Sequence, residues 1–209
     1  MVPFIVPNLY NRLSKLPVKN LESDANYYDW LEDIWLHVEP AYEAFYAWAG
    51  QRCRGDVTDL GCGNGNAGQK LNAKYYYDYV QSFPEVKFLD LNAEIGSLPK
   101  LEGDTFILSH VLEHLNEPKR SLAALSHTMK SGDRLIICVP DGGIMESTAI
   151  PFNQYIPSND ATAKHLHHVY AWTAADLYNT LIRGNWDGID MATANVCGFA
   201  CIWAMAIKK

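Results

Sequence analysis

The sequence predicts an α/β protein with a doubly wound sheet of seven strands, mostly parallel, an antiparallel last strand and a helical N-terminal extension. Three observations predict it. Short apolar runs alternate with helical patterns from Asp56 onward, the pattern of a parallel sheet covered on both faces. A glycine-rich turn, "DLGCGNGNAG" at residues 59–68, joins the first such run to the first helix. The chain closes on two consecutive strand-like runs, which read as a hairpin.

Each element follows from local pattern. Residues 1–50 differ from the rest: Tyr27, Trp30, Leu31, Ile34, Trp35 and Val38 fall on one helical face, with Ser23 or Asp24 as a cap. Such a stripe packs on a core or closes over a pocket, to which Tyr27 and Tyr28 would contribute. Pro40 starts a second helix that ends near Gly50. "DVTDL" is a strand, "NAGQKLNA" a helix, and "KYYYDYV", "VKFLDL" and "TFILSH" are strands. Within "VLEHLNEPKRSLAALSHTMK" a helix begins afresh at Pro118. "DRLIICVP" has the continuous apolar character of a fully buried strand. "TAADLYNTLIRG" is a helix with Thr173 as its N-cap, and "DGIDMATANV" and "GFACIWAMAIKK" are the closing strands. Residues 141–172 form one long irregular piece beyond a strand end, at the sheet edge where doubly wound folds bind ligands.

Composition sets bounds. A chain of 209 residues, 48% hydrophobic and 20% charged, is most simply one globular domain over residues 1–209: a helical cap at 1–50, then the core. A formal net charge of -7 argues against gripping nucleic acid through its phosphates. The five cysteines are odd in number and scattered, with no C-x-x-C, as expected of reduced thiols in a cytoplasmic protein. Cys197 and Cys201 share one side of the last strands and read as core packing. The opening and closing apolar segments are too short to span a bilayer, so no membrane contact is expected.

The glycine loop carries two overlapping patterns. Gly63, Gly65 and Gly68 fit G-x-G-x-x-G, a dinucleotide fingerprint, whereas Asp59, Gly61, Gly63 and Gly65 form acidic-x-Gly-x-Gly-x-Gly. Charge separates them. No Lys or Arg occurs between Asp56 and Gln69, and a buried Asp59 carboxylate beside a pyrophosphate is a like-charge contact. S-adenosyl-L-methionine has no phosphate and carries two cationic centres, which Asp59 favours. Asp78 and Asp90 follow at the ends of the next two strands, placed for ribose hydroxyls and an adenine amino group.

On these residues the chain resembles the class I S-adenosylmethionine-dependent methyltransferases, in particular the type-11 methyltransferase-domain group. The likeness runs in order through "VTDLGCGNG", "DTFILSHVLEHLNEP", "LSHTMKSGDRLIICVPD" and "HHVYAWTAADLYNTL". The resemblance implies that Asp59, Gly61, Cys62, Gly63 and Gly65 surround the methionyl part of the cofactor. It implies that Asp78 binds the ribose, that Asp90 and Leu91 flank the adenine, and that Ser109 and His110 face the methyl side. Two departures stand out. Asp78 and Asp90 are too close in sequence for the usual intervening helix, and "MKSGD" replaces the family's "LKPGG" turn.

Methyl transfer is an in-line displacement, so a hydroxyl acceptor asks for a general base. His110 is the first candidate, then His165 or His167; Glu113 and His114 read as partly structural. Phe152, Tyr155, Tyr170 and Trp172 either line an acceptor pocket or anchor the loop. No metal is expected: His165, His167 and His168 diverge from one another on a loop, and no Asp-Asp-Asn pattern accompanies them. The expected activity is methyl transfer to a small molecule or to a sugar hydroxyl of a glycan. The alternatives are a module that only binds the cofactor or its product, S-adenosylhomocysteine, and an NAD-binding oxidoreductase. A protein or nucleic-acid methyltransferase fits less well, for want of a basic surface.

Overall fold

In both long strands of the sheet centre, alternate residues serve opposite faces, and both faces are apolar. In the computed structural model, which describes residues 39–143, 169–196 and 199–209, these runs form one seven-stranded sheet. Its strands are β1 (Val57–Leu60), β2 (Tyr75–Asp78), β3 (Val86–Phe88), β4 (Thr105–Ser109), β5 (Arg134–Pro140), β6 (Trp186–Val196) and β7 (Phe199–Lys208). The spatial order is β3-β2-β1-β4-β5-β7-β6. Strands β1 to β5 pair in parallel, and β7 runs antiparallel to both β5 and β6. The expected antiparallel last strand is therefore present, and it lies inside the sheet rather than at its edge. The third strand is shorter than expected: it ends at Phe88, and Asp90 stands beyond it.

The helices are α1 (residues 39–50), α2 (Asn66–Lys70), α3 (Pro118–Thr128) and α4 (Ala174–Arg183). Leu60, Phe106, Leu108, Leu135, Ile137, Val139, Ile202 and Ala204 face α3 and α4 and the apolar residues of the segment from Leu89 to Leu101. Val57, Ile107, Ile136, Cys138, Cys201 and Trp203 face α1, which contributes Phe45, Tyr46 and Ala49. Pro118 opens α3, where its missing N–H costs no hydrogen bond, and Thr173 Oγ1 accepts from the Asp176 N–H to cap α4.

Helix α1 is thus one wall of the core. Phe45 is fully buried, in contact with Trp48 and Trp203 at ring separations of 6.3 and 5.9 Å. The earlier aromatic stripe from Tyr27 to Val38 lies outside the described residues, as do Phe152 and Tyr155. Among the described residues no helix is long and apolar enough to cross a membrane.

If α1 is structural, Phe45→Ala costs about 3–5 kcal/mol of stability, the usual range for emptying a buried phenylalanine site. Urea unfolding measures it. A loss well under about 1 kcal/mol would mark α1 as a detachable cover instead.

Candidate functional site

Strand order reverses between β1 and β4, which leave the sheet in adjacent positions with their helices on opposite faces. Ligands of doubly wound folds bind in the crevice at such a point, beyond the carboxyl ends of the strands. The sequence-predicted residues converge there. β1 delivers Asp59 and the glycine loop, β2 delivers Asp78, and β4 delivers Ser109 and His110.

The loop is held by its neighbours' backbone and by two carboxylates. Gly61 and Cys62 donate to the Tyr77 carbonyl, at 2.7 and 3.2 Å. Gly61 has φ +69° and sits against Val111, whose Cγ2 would lie 2.6 Å from any added Cβ, so no larger residue fits. Gly63 donates its N–H to Asp78 Oδ2 at 2.8 Å, and beside Gly63 the space is open, with no heavy atom within 4 Å of where a Cβ would stand. Asp78 Oδ1 accepts from the Val80 N–H at 2.9 Å.

Asp59 is 1% exposed, and its Oδ2 accepts from the Gly68 N–H at 2.8 Å. Gly68 belongs to the first turn of α2, so the carboxylate satisfies one of the free N–H groups at that helix start. In G-x-G-x-x-G proteins that end of the helix faces the pyrophosphate. Here an internal acid already holds it. Burial pushes the Asp59 carboxyl up to about 7, against the Gly68 hydrogen bond that lowers it, and the nearby Asp78 charge adds to the rise.

Asp90 is turned to its own loop, where Oδ1 accepts from the Asn92 N–H at 2.8 Å, and Leu91 is buried in the core. Asn92 Oδ1 in turn accepts from the Asn116 N–H at 2.9 Å, which ties this segment to the turn after β4.

At the end of β4 the chain is unusual. His110 has φ +56°, a left-handed conformation that a histidine adopts only when its surroundings hold it. Its N–H donates to the Cys138 carbonyl at 2.8 Å, and its ring packs on Tyr42 of α1 at 4.9 Å. Nδ1 lies 3.1 Å from Glu113 Oε1, and Nε2 lies 3.3 Å from Cys138 Sγ. Burial lowers the His110 pKa, but hydrogen bonds with Cys201 and Glu113 outweigh it and raise the value to about 10. Both ring nitrogens are therefore engaged by protein groups, which leaves neither pointed at an acceptor. Glu113 is fully buried, and its carbonyl accepts from Val169 and Tyr170. His114 lies farther off, with Nε2 4.0 Å from Glu113 Oε1.

Sequence reasoning left Cys201 in the core and gave Cys138 and Tyr42 no role; the structure sets all three around His110. Pairing of Pro140 with Cys201 across β5 and β7 puts the two sulfurs on one face, next to His110. His165 and His167 lie outside the described residues. The ends of the chain that carries them do meet: Asp141 bridges to Trp172, and Gly142 donates to the Trp172 carbonyl at 2.7 Å. Trp172 is fully buried and packs on Tyr170, so these two anchor the loop's return. A cleft of about 440 Å³, lined by residues including Asp56, Lys100, Asp104 and Lys130, lies at the opposite, amino edge of the sheet.

No family model matches the chain, and no curated protein matches it in sequence. Solved structures do match. A S-adenosylmethionine-dependent methyltransferase of Thermotoga maritima, described as a possible histamine N-methyltransferase, is 13% identical with TM-score 0.64, covering 88% of this chain and 97% of its own. The 1,6-didemethyltoxoflavin N1-methyltransferase of Burkholderia thailandensis, solved with S-adenosylhomocysteine, is 17% identical with TM-score 0.57, covering 100% and 93%. Magnesium protoporphyrin IX methyltransferase of Synechocystis, also solved with S-adenosylhomocysteine, is 17% identical with TM-score 0.56, covering 85% and 86%. The fold of this chain is that of the class I methyltransferases.

The raised pKa of Asp59 has a signed consequence. Its folded value, about 7, exceeds the ordinary carboxylate value of 3.8, so between them the folded state binds more protons than the unfolded one. Its contribution to stability is full below about pH 4 and is lost as pH rises through about 7. Asp59→Asn keeps an acceptor for Gly68 and removes the titration. Relative to the wild type, the variant therefore gains stability between about pH 4 and about pH 7, read as a widening gap in urea midpoints. A constant gap would mean that Asp59 titrates normally.

Proposed function

We propose that this protein is a methyltransferase that uses S-adenosyl-L-methionine to methylate a small molecule or a sugar hydroxyl. One observation carries the choice of cofactor within this fold: the start of α2 is occupied by the buried Asp59 carboxylate, in a loop without a cationic residue. That arrangement repels a pyrophosphate and attracts an ammonium or sulfonium. It disfavours an NAD-binding oxidoreductase for the same reason.

The residues present fit that cofactor. Open space beside Gly63 leaves room for the methionyl part along Gly61, Cys62, Gly63 and Gly65, with the Asp59 charge behind it. Asp78 spends one lone pair of each oxygen on Gly63 and Val80 and keeps others for two ribose hydroxyls. Asp90, with the backbone of Leu91 beside it, flanks the adenine, and Ser109 and His110 border the methyl side; the Leu91 side chain itself belongs to the core. When bound, the cofactor supplies a methyl group activated by its sulfonium.

The chain's own contribution is alignment and proton removal. With His110 committed to Glu113 and Cys138, the base for a hydroxyl acceptor is assigned to His165 or His167. Both belong to the segment between Gly143 and Val169, outside the described residues; the described chain on either side of it is joined where Asp141 bridges to Trp172.

Calorimetry tests the binding. S-adenosylmethionine and S-adenosylhomocysteine bind, NAD does not, and Asp78→Ala weakens binding about ten- to a hundredfold by removing charged hydrogen bonds to the ribose. Tight binding of NAD alone would overturn the reading. Transfer of labelled methyl to hydroxyl-bearing small molecules and sugars tests the activity. Loss of turnover without loss of cofactor affinity is expected in His165→Ala or His167→Ala. Binding with no transfer to any acceptor would instead favour a cofactor-binding module.

A further inference from the structure

The geometry points to a zinc site formed by His110 Nε2, Cys138 Sγ and Cys201 Sγ, with Glu113 orienting the imidazole. The three ligand atoms come from β4, β5 and β7 and all lie within 4.8 Å of one another. A tetrahedral zinc with bonds of about 2.3 Å to sulfur and 2.0 Å to nitrogen separates its sulfurs by about 3.8 Å and sulfur from nitrogen by about 3.5 Å. The observed separation of 3.3 Å between Cys138 Sγ and His110 Nε2 is close to that edge.

Three features suit a metal better than chance packing. Two soft sulfur donors and one imidazole are a set that zinc prefers over the hard cations. A carboxylate on the far ring nitrogen orients the imidazole, as in carboxylate–histidine–zinc arrangements, so that a metal would take the place of the Nε2 proton; here Glu113 Oε1 stands 3.1 Å from Nδ1. The left-handed backbone at His110 is what aims its ring at the two sulfurs. Both sulfurs are buried, on the face of the sheet covered by α1, with Tyr42 against the imidazole. Three protein ligands leave the fourth position to water or to an anionic group of a bound molecule. The site does not depend on the methyltransferase reading.

The test uses the full chain, expressed with zinc and dialysed extensively. We expect about one zinc per chain by elemental analysis. Replacing zinc by cobalt is expected to give visible tetrahedral bands and near-ultraviolet thiolate charge transfer. Cys201→Ser and Cys138→Ser lose the metal and the charge-transfer band, whereas Cys53→Ser keeps both. Glu113→Gln weakens zinc binding about ten- to a hundredfold. Wild-type protein that retains no zinc and gives no cobalt spectrum would overturn the proposal without recourse to any variant. So would a Cys138–Cys201 disulfide found by mass spectrometry of the freshly purified chain. An unchanged cobalt spectrum in the folded cysteine variants would place the metal elsewhere and equally overturn it.

Discussion

The hydrogen bond from the Gly68 N–H to the buried Asp59 carboxylate is the interaction on which the site's organisation depends. It joins the end of β1 to the first turn of α2, so the intervening loop must reverse within a few residues. A side chain at Gly68 would collide with Tyr76 and with the carboxylate itself, so glycine here reflects close approach rather than flexibility. The same bond places a negative charge where related loops present bare N–H groups to phosphate. Chain geometry and ligand charge preference thus come from one contact.

A second constraint acts at the end of β4. His110 is held in a left-handed conformation between Tyr42, Glu113 and Cys138, which belong to α1, the turn after β4 and β5. Strain of this kind persists only where the surroundings over-determine it. Its effect is to turn an imidazole back onto the α1 face of the sheet. Helix α1 therefore shapes the site as well as the core, because Phe45 and Tyr46 fix the helix that carries Tyr42. The glycine loop and the His110 cluster occupy the same carboxyl edge and are built from neighbouring strands.

Most of the sheet was legible because its signals are local. Strand β5 is a buried apolar run, Thr173 caps α4, and Pro118 restarts a helix. The antiparallel β7 was legible from two strands with little sequence between them. Its insertion between β5 and β6 was not, since strand order is a property of pairing. For that reason Cys201 read as core filler: only the register of β7 on β5 brings it to Cys138. The left-handed His110 left no trace in sequence either, because histidine gives no signal of the kind glycine does. The charge logic of Asp59 was legible, but its capping of α2 was not, and that contact explains why the carboxylate is buried.

The central claim, that this loop is built for a cationic ligand, is tested most directly by proton linkage. Binding of S-adenosylmethionine is measured by calorimetry near pH 7 in two buffers of different ionisation enthalpy, for the wild type and for Asp59→Asn. A cation lowers the raised Asp59 pKa, so the wild type releases up to roughly half a proton more than the variant. Equal proton exchange in the two proteins, or extra uptake by the wild type, would contradict the account.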